Sequence, residues 1–171
     1  MNLKPFLKLT LMLMITTVGL ETFAQKQIPL KDFFKNPKKS GYQISPDGKY
    51  ISYLAPYKSR MNLFVQPVDG EKAIQITKVT DRDLGGYFWK SATRLVYLKD
   101  NGGDENFHLY AVNQDGSNLK DLTPFEGVKA DFVDELEDND NEMLIQLNKD
   151  KKEVFDVYRL NINTGELTKI A

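Results

Sequence analysis

From Gly41 onward, short apolar runs alternate with turn residues, and no helical period is sustained. The runs recur. Asn62-Leu63-Phe64-Val65, His108-Leu109-Tyr110-Ala111 and Asp156-Val157-Tyr158-Arg159 share an apolar–aromatic pair. Each is followed by a turn, at Asp69-Gly70, Asp115-Gly116 and Thr164-Gly165, and then by a strand ending Ile76-Thr77, Leu122-Thr123 or Ile170-Ala171. Phe64 to Tyr110 and Thr77 to Thr123 are both shifts of 46 residues, while Tyr110 to Tyr158 and Thr123 to Ala171 are both shifts of 48. Two separate markers keep one offset at each step, which makes coincidence a poor explanation.

A second hairpin precedes each marked strand. The first joins Tyr42–Ser45 to Lys49–Leu54 through Ser45-Pro46-Asp47-Gly48, where Pro presets φ and Gly tolerates positive φ in a tight turn. The second joins Tyr87–Lys90 to Thr93–Leu98 across Ser91-Ala92, and the third joins Ala130–Leu136 to Glu142–Leu147 across an acidic turn. Each unit therefore holds four short antiparallel strands in a period of 46–48 residues, that of a propeller blade. Leu95-Val96-Tyr97-Leu98 and Met143-Leu144-Ile145 are apolar at consecutive positions, so both faces of those strands are built for burial. The expected fold is all-β: an incomplete propeller of three four-stranded antiparallel blades, WD40-like or TolB-like, at about 41–78, 85–124 and 128–171. A β-sandwich of about 12 strands is the alternative.

The residues before Gly41 differ. Met1–Ala24 reads as a signal peptide: Lys4 and Lys8, the apolar run Leu9–Leu20, and small residues at Thr22 and Ala24 before a cut at Gln25. The run is shorter than the roughly 20 residues a bilayer span needs. Residues 25–40 form a lead-in in which Leu30, Phe33 and Phe34 fall at helical spacing, with Pro29 near the start and Asn36-Pro37 as a stop. This predicts one or two helical turns. Removing residues 1–24 takes away Lys4, Lys8 and Glu21 and leaves a net charge of −2, an exported, mildly acidic chain of periplasmic or extracellular type.

Composition narrows the chemistry. With 23 Lys+Arg against 24 Asp+Glu, bulk charge gives no reason to bind nucleic acid or an anionic membrane. Zero Cys removes disulfides, thiolate metal sites and cysteine catalysis, and the single His108 rules out a multi-histidine metal site. No cofactor or metal is expected. His108 lacks any evident nucleophile and reads as a strand histidine on a blade surface. Alternate acids Asp138, Asp140 and Glu142 hint at calcium ligation, but the Gly an EF-hand loop needs is missing, so an exposed acidic hairpin tip is the reading. Tyr87, Phe88 and Trp89 read as packing between blades, and Lys35, Lys38 and Lys39 as solvated surface.

The SPDG stretch with Lys49–Leu54 resembles the blade signature of TolB-like and prolyl-oligopeptidase-type propellers. Ile28–Pro56, Gly102–Tyr110 (GGDENFHLY) and Val154–Leu167 resemble more closely the N-terminal propeller of exported S9-family serine peptidases, of the dipeptidyl-aminopeptidase or acylaminoacyl-peptidase kind. The resemblance implies a C-terminal α/β-hydrolase domain with a Ser–Asp–His triad, the Ser in a Gly-x-Ser-x-Gly elbow, acting on peptides. No Gly-x-Ser-x-Gly occurs at any serine here, so no catalytic residue is carried over and the chain is expected to be the amino-terminal part of such a peptidase. The resemblance further implies that Asp104 and Glu105 face the cavity and hold the free amino terminus of a peptide, since a carboxylate pair can give an ammonium two charge-assisted hydrogen bonds. Read from the residues alone, Asp104 and Asn106 can equally bond their own backbone in a hairpin loop turned by Gly102 and Gly103. A non-enzymatic, TolB-like binding or scaffold propeller is the alternative function. Three blades leave two unpaired faces, and the first and third units are each expected to present an apolar side.

Overall fold

The computed structural model describes residues 27–70 and 72–171 and divides into two units, 1–35 and Asn36–Ala171. The signal-peptide reading of Met1–Ala24 lies outside the described residues.

In the first unit a single turn of helix, α1 (Leu30–Phe33), starts after Pro29, whose carbonyl accepts from the Asp32 N–H at 2.8 Å. Asp32 in its first turn ion-pairs with Lys35. Pro at the entry removes a donor that would be orphaned there.

The second unit is all β. The first sheet is β1 (Ser40–Ile44), β2 (Tyr50–Tyr57), β3 (Arg60–Pro67) and β4 (Ile74–Gln75). The second is β5 (Gly86–Trp89), β6 (Arg94–Lys99), β7 (His108–Asn113) and β8 (Lys120–Asp121); the third is β9 (Ala130–Asp134), β10 (Glu142–Lys151), β11 (Val154–Asn161) and β12 (Leu167–Lys169). Within each sheet the strands pair antiparallel in chain order, so each is a complete four-stranded meander made from consecutive residues. The SPDG turn closes as its chemistry dictates. Gly48 donates to the Ser45 carbonyl at 2.8 Å with φ +72°, and Asp47 Oδ1 accepts from Ser45 Oγ and the Lys49 N–H.

The sheets stack face to face in chain order. One core joins Leu63, Val65 and Ile76 of the first repeat to Tyr87, Trp89, Leu95, Tyr97 and Val112 of the second. Another joins Val96, Leu109, Ala111 and Leu122 to Met143, Ile145, Leu147, Tyr158, Leu160 and Ile162 of the third. The middle sheet is thus buried on both faces, as its consecutive apolar residues require. The aromatic trio shows the alternation directly. Trp89 Nε1 donates to Ser52 Oγ at 2.7 Å and the Tyr87 hydroxyl to the Gly41 carbonyl, both toward the first sheet, while Phe88 meets Phe132 of the third at 5.2 Å between ring centroids.

The Ile76-Thr77 and Leu122-Thr123 markers lie just past their short strands and finish the ladder with a side chain. Leu63 N–H donates to Thr77 Oγ1 at 2.9 Å, and Leu109 N–H donates to Thr123 Oγ1 at 3.0 Å. At the third position Val157 N–H donates instead to the Ala171 carbonyl at 2.7 Å, because alanine has no hydroxyl. The repeat is thus a hydrogen-bonding requirement of the third strand as well as an apolar pattern.

Two readings change. Lys39 is not simply solvated: its ammonium sits 4.0 Å above the Tyr53 ring. The free face of the third sheet is mixed rather than apolar. Met143, Ile145 and Leu147 point to the core, so Leu144 and Gln146 point away, beside Val157 and Arg159 of β11.

Candidate functional site

The connection from β6 to β7 contains Gly102-Gly103-Asp104-Glu105-Asn106. Two glycines at φ +63° and +95° and Glu105 at φ +59° fold it into a compact reversal. Asp104 organises the turn. Its Oδ1 accepts the Asn101 and Asn106 N–H groups, each at 3.1 Å, and its Oδ2 accepts from Asn106 Nδ2 at 3.4 Å. The Asn101 N–H, with smaller help from Asn106 and His108, holds the Asp104 carboxyl below the usual aspartate range. The structure therefore places Asp104 in the local bonding pattern of an Asx-type loop. Glu105 is exposed, and its carboxylate has no hydrogen-bond partner among the described residues.

The loop is anchored at its base by residues that sequence reading passed over. Asp100, only 3% exposed, ends the apolar run of β6 and faces Arg82, whose Nε lies 3.6 Å from Asp100 Oδ2. The Arg82 guanidinium packs over Gly103, where an added Cβ would come within 3.4 Å of it. On the other side Phe107 fills the space above Gly85, where an added Cβ would lie 2.8 Å from the ring. The Phe107 carbonyl accepts the Ala130 N–H at 2.8 Å, tying the loop's exit to β9. Asp81–Asp83 contribute further: Asp83 Oδ1 accepts the Met61 N–H at 2.7 Å and Asp81 pairs with Lys99 at 3.6 Å. The signals available in sequence were the Gly85-Gly86 pair and a lone acid closing an apolar strand. Neither had a partner that spacing could name.

The other candidates resolve into structure. His108 Nδ1 lies 2.9 Å from Asp121 Oδ2, and no serine among the described residues bonds either group. The repeat explains the pair: the positions equivalent to His108 and Asp121 in the third sheet are Asp156 and Lys169, bonded at 2.7 Å. A polar pair on these two strands recurs in two of the three sheets and is not two-thirds of a triad. In the acidic hairpin, Lys90 Nζ donates to the Asn139 carbonyl at 2.5 Å and the Leu136 carbonyl at 3.3 Å. Glu142 Oε2 accepts from Asn139 Nδ2 at 3.0 Å and Arg159 Nη1 at 3.1 Å. Among the described residues no group of three acids or His is arranged to hold a metal ion.

No family model matches the chain. Two curated proteins are similar to it: dipeptidyl aminopeptidase BIII of Pseudoxanthomonas mexicana, 36% identical over 137 residues, and dipeptidyl peptidase family member 6 of Caenorhabditis elegans, 27% identical over 168. The matches cover 79% and 93% of this chain, which spans only 20% and 23% of those relatives' length. Among solved structures, the β-propeller domain of the trilobed protease from Pyrococcus furiosus overlays with a TM-score of 0.57 at 13% identity, covering 78% of this chain and 43% of that one. A putative TolB from Agrobacterium tumefaciens overlays at 0.56 with 14% identity, covering 79% and 50%. The structural matches establish the propeller fold, and the sequence matches establish kinship with the dipeptidyl peptidases. The three sheets are propeller blades, and the chain is an S9-like (prolyl oligopeptidase-like) propeller portion.

Proposed function

We propose that this chain is the substrate-gating propeller portion of an exported S9-type serine peptidase that hydrolyses peptides, exported to the periplasm or the cell exterior. The observation that carries the reading is the 36% identity to a dipeptidyl aminopeptidase across 137 residues, which runs through the blades rather than one motif. The chemistry belongs to a partner α/β-hydrolase domain. Its serine attacks the scissile carbonyl while a histidine takes the proton and an aspartate orients that histidine. The propeller's task is exclusion: a rigid stack of blades admits short or extended peptides to an internal space and refuses folded ones. Export accords with the basic-then-apolar start at Lys4–Leu20. No helix among the described residues is long and apolar enough to cross a membrane.

Within this reading Asp104 and Glu105 meet the amino terminus of the peptide. Glu105 offers the exposed carboxylate, and Asp104, kept anionic by its N–H bonds, fixes the loop and adds negative potential. The Arg82–Asp100 pair beneath holds the loop's base.

Reading the coding DNA past the codon for Ala171 tests the proposal. A Gly-x-Ser-x-Gly followed by an Asp and a His supports it; further blades and then a stop would favour a TolB-like binding propeller, the reading kept open by the TolB overlay. In the gene product, Glu105→Gln is expected to raise KM for peptides with a free amino terminus severalfold, leaving N-acylated peptides unaffected. An equal effect on both would remove Glu105 from the amino-terminus role.

A further inference from the structure

Arg94 has no counterpart in the repeat. Its equivalents, set by the shared strand pairing, are Tyr50 in the first sheet and Glu142 in the third. A cation is therefore not what a blade needs there. Its side chain is nonetheless buried, only 8% exposed, at the junction of the second and third sheets. Nη1 donates to Asn113 Oδ1 at 2.8 Å and the Asn118 carbonyl at 3.2 Å, and Nη2 to the Ile162 carbonyl at 3.2 Å. Every partner is neutral. No carboxylate stands against the charge, and burial alone pushes the guanidinium pKa down. Burying a charge with no counter-charge is unfavourable.

The donors are also incompletely used. A guanidinium carries five N–H groups. Three bonds leave two, Nε–H and one hydrogen of Nη2, and Nε is buried without a partner. Neighbouring Nε and Nη donors form the edge that grips an oxyanion with two parallel bonds. Arg94 lines a surface cavity of about 320 Å³ together with Asn118, Leu119, Lys120 and Asn163. Lys120 is a second cation on that wall; its ammonium gives one hydrogen to the Thr164 carbonyl, which leaves two more. The cavity lining contains no acid.

We propose that the cavity between the second and third sheets binds a small oxyanion, a phosphate or a carboxylate, held by Arg94 from below and Lys120 from the rim. Such an anion supplies the missing counter-charge to the uncompensated cation in the cavity wall. It also links β6 and β8 to the Ile162–Thr164 turn of the next blade, whose carbonyls already receive these two side chains.

Calorimetric titration of the gene product in low-salt buffer, with inorganic phosphate and separately with acetate, tests this. Saturable one-site binding of at least one anion is expected, weakened about tenfold in Lys120→Gln and abolished in Arg94→Gln. Binding of phosphate alone identifies a phosphate site; binding of acetate as well identifies a site open to a protein or peptide carboxylate. Absence of saturable binding of either anion up to about 0.1 M overturns the proposal, as does wild-type affinity in the variants, which would mark non-specific surface attraction. Should Arg94→Gln fail to fold, Lys120→Gln decides alone, because its ammonium sits at the cavity rim.

Discussion

The first and third sheets each have one face with no neighbour in the stack, and the two faces are built differently. On the first, Tyr42 and Ile44 are 59% and 65% exposed, beside Ile51 and a Tyr53–Phe64 pair stacked at 5.9 Å between centroids. On the third, apolar Leu144 and Val157 alternate with Gln146 and Arg159, and Arg159 is neutralised by Glu142. The repeat shows what the first face is for. Tyr53 and Phe64 occupy the positions of Tyr97 and Tyr110, also a stacked pair at 5.2 Å, and Tyr97 packs in the core against the preceding sheet. The first face is thus made to the pattern of a blade that receives another blade, with Lys39 over Tyr53 as partial cover. The third face can rest in water more cheaply. The first face carries the more exposed apolar patch, Tyr42 and Ile44 against Phe155 at 39% on the third, which predicts association chiefly through the first face.

The largest effect belongs to the doubly buried middle sheet: Leu109→Ala should cost about 2–5 kcal/mol in denaturant unfolding, because the cavity cannot collapse between two packed faces. A loss below 1 kcal/mol would mean the middle sheet is not held from both sides. Next comes the threonine ladder. Thr77→Ala removes the hydroxyl that accepts the Leu63 N–H and donates to buried Asn62 Oδ1, so it should cost about 1–3 kcal/mol, more than Thr123→Ala. Equal costs would deny Asn62 its part.

Alkaline pH probes the stacked tyrosines. Burial, then Asp121, pushes the Tyr110 hydroxyl up to about 12, and burial pushes Tyr97 up as well. A raised pKa in the folded state means that the stabilisation is whole below the ordinary value of 10 and is lost as pH rises toward about 12. Tyrosinate absorbance should therefore grow together with loss of circular dichroism in that window. Ionisation at pH 10 with the fold intact would place the pair in solvent. The smallest change in stability belongs to the free face. Ile44→Ser should alter unfolding free energy by less than about 0.5 kcal/mol yet visibly reduce self-association in sedimentation. Residues 25–171 on their own are expected to associate or aggregate through the first face, and a soluble monomer with a sharp two-state melt would contradict that.

The blade pattern was legible because it is local and repeated: strand, turn and terminal Thr recur at constant offsets, and each hairpin closes with nearby residues. The single helical turn at Leu30–Phe33 followed from Pro29 and the apolar spacing. The loop chemistry was only half legible. Asx bonding by Asp104 could be anticipated from Gly-Gly-Asp-x-Asn, since all its partners lie within three residues. The Arg82–Asp100 pair and the fit of Phe107 over Gly85 join positions 18 and 22 residues apart across the connections of the second sheet, and the reach of Arg94 to Ile162, 68 residues away, is made only when blades stack. The mixed face of the third sheet escaped for a related reason. Met143-Leu144-Ile145 looks apolar on both sides, but only Leu144 points outward, between Asp134 of β9 and Arg159 of β11.

If these sheets are successive sectors of a larger ring, a solved structure of the intact gene product will show it. A further blade is expected to seat on Tyr42, Ile44, Ile51 and Phe64, with a hydrolase domain in the same chain. Those side chains facing solvent in a finished protein of three sheets would contradict it.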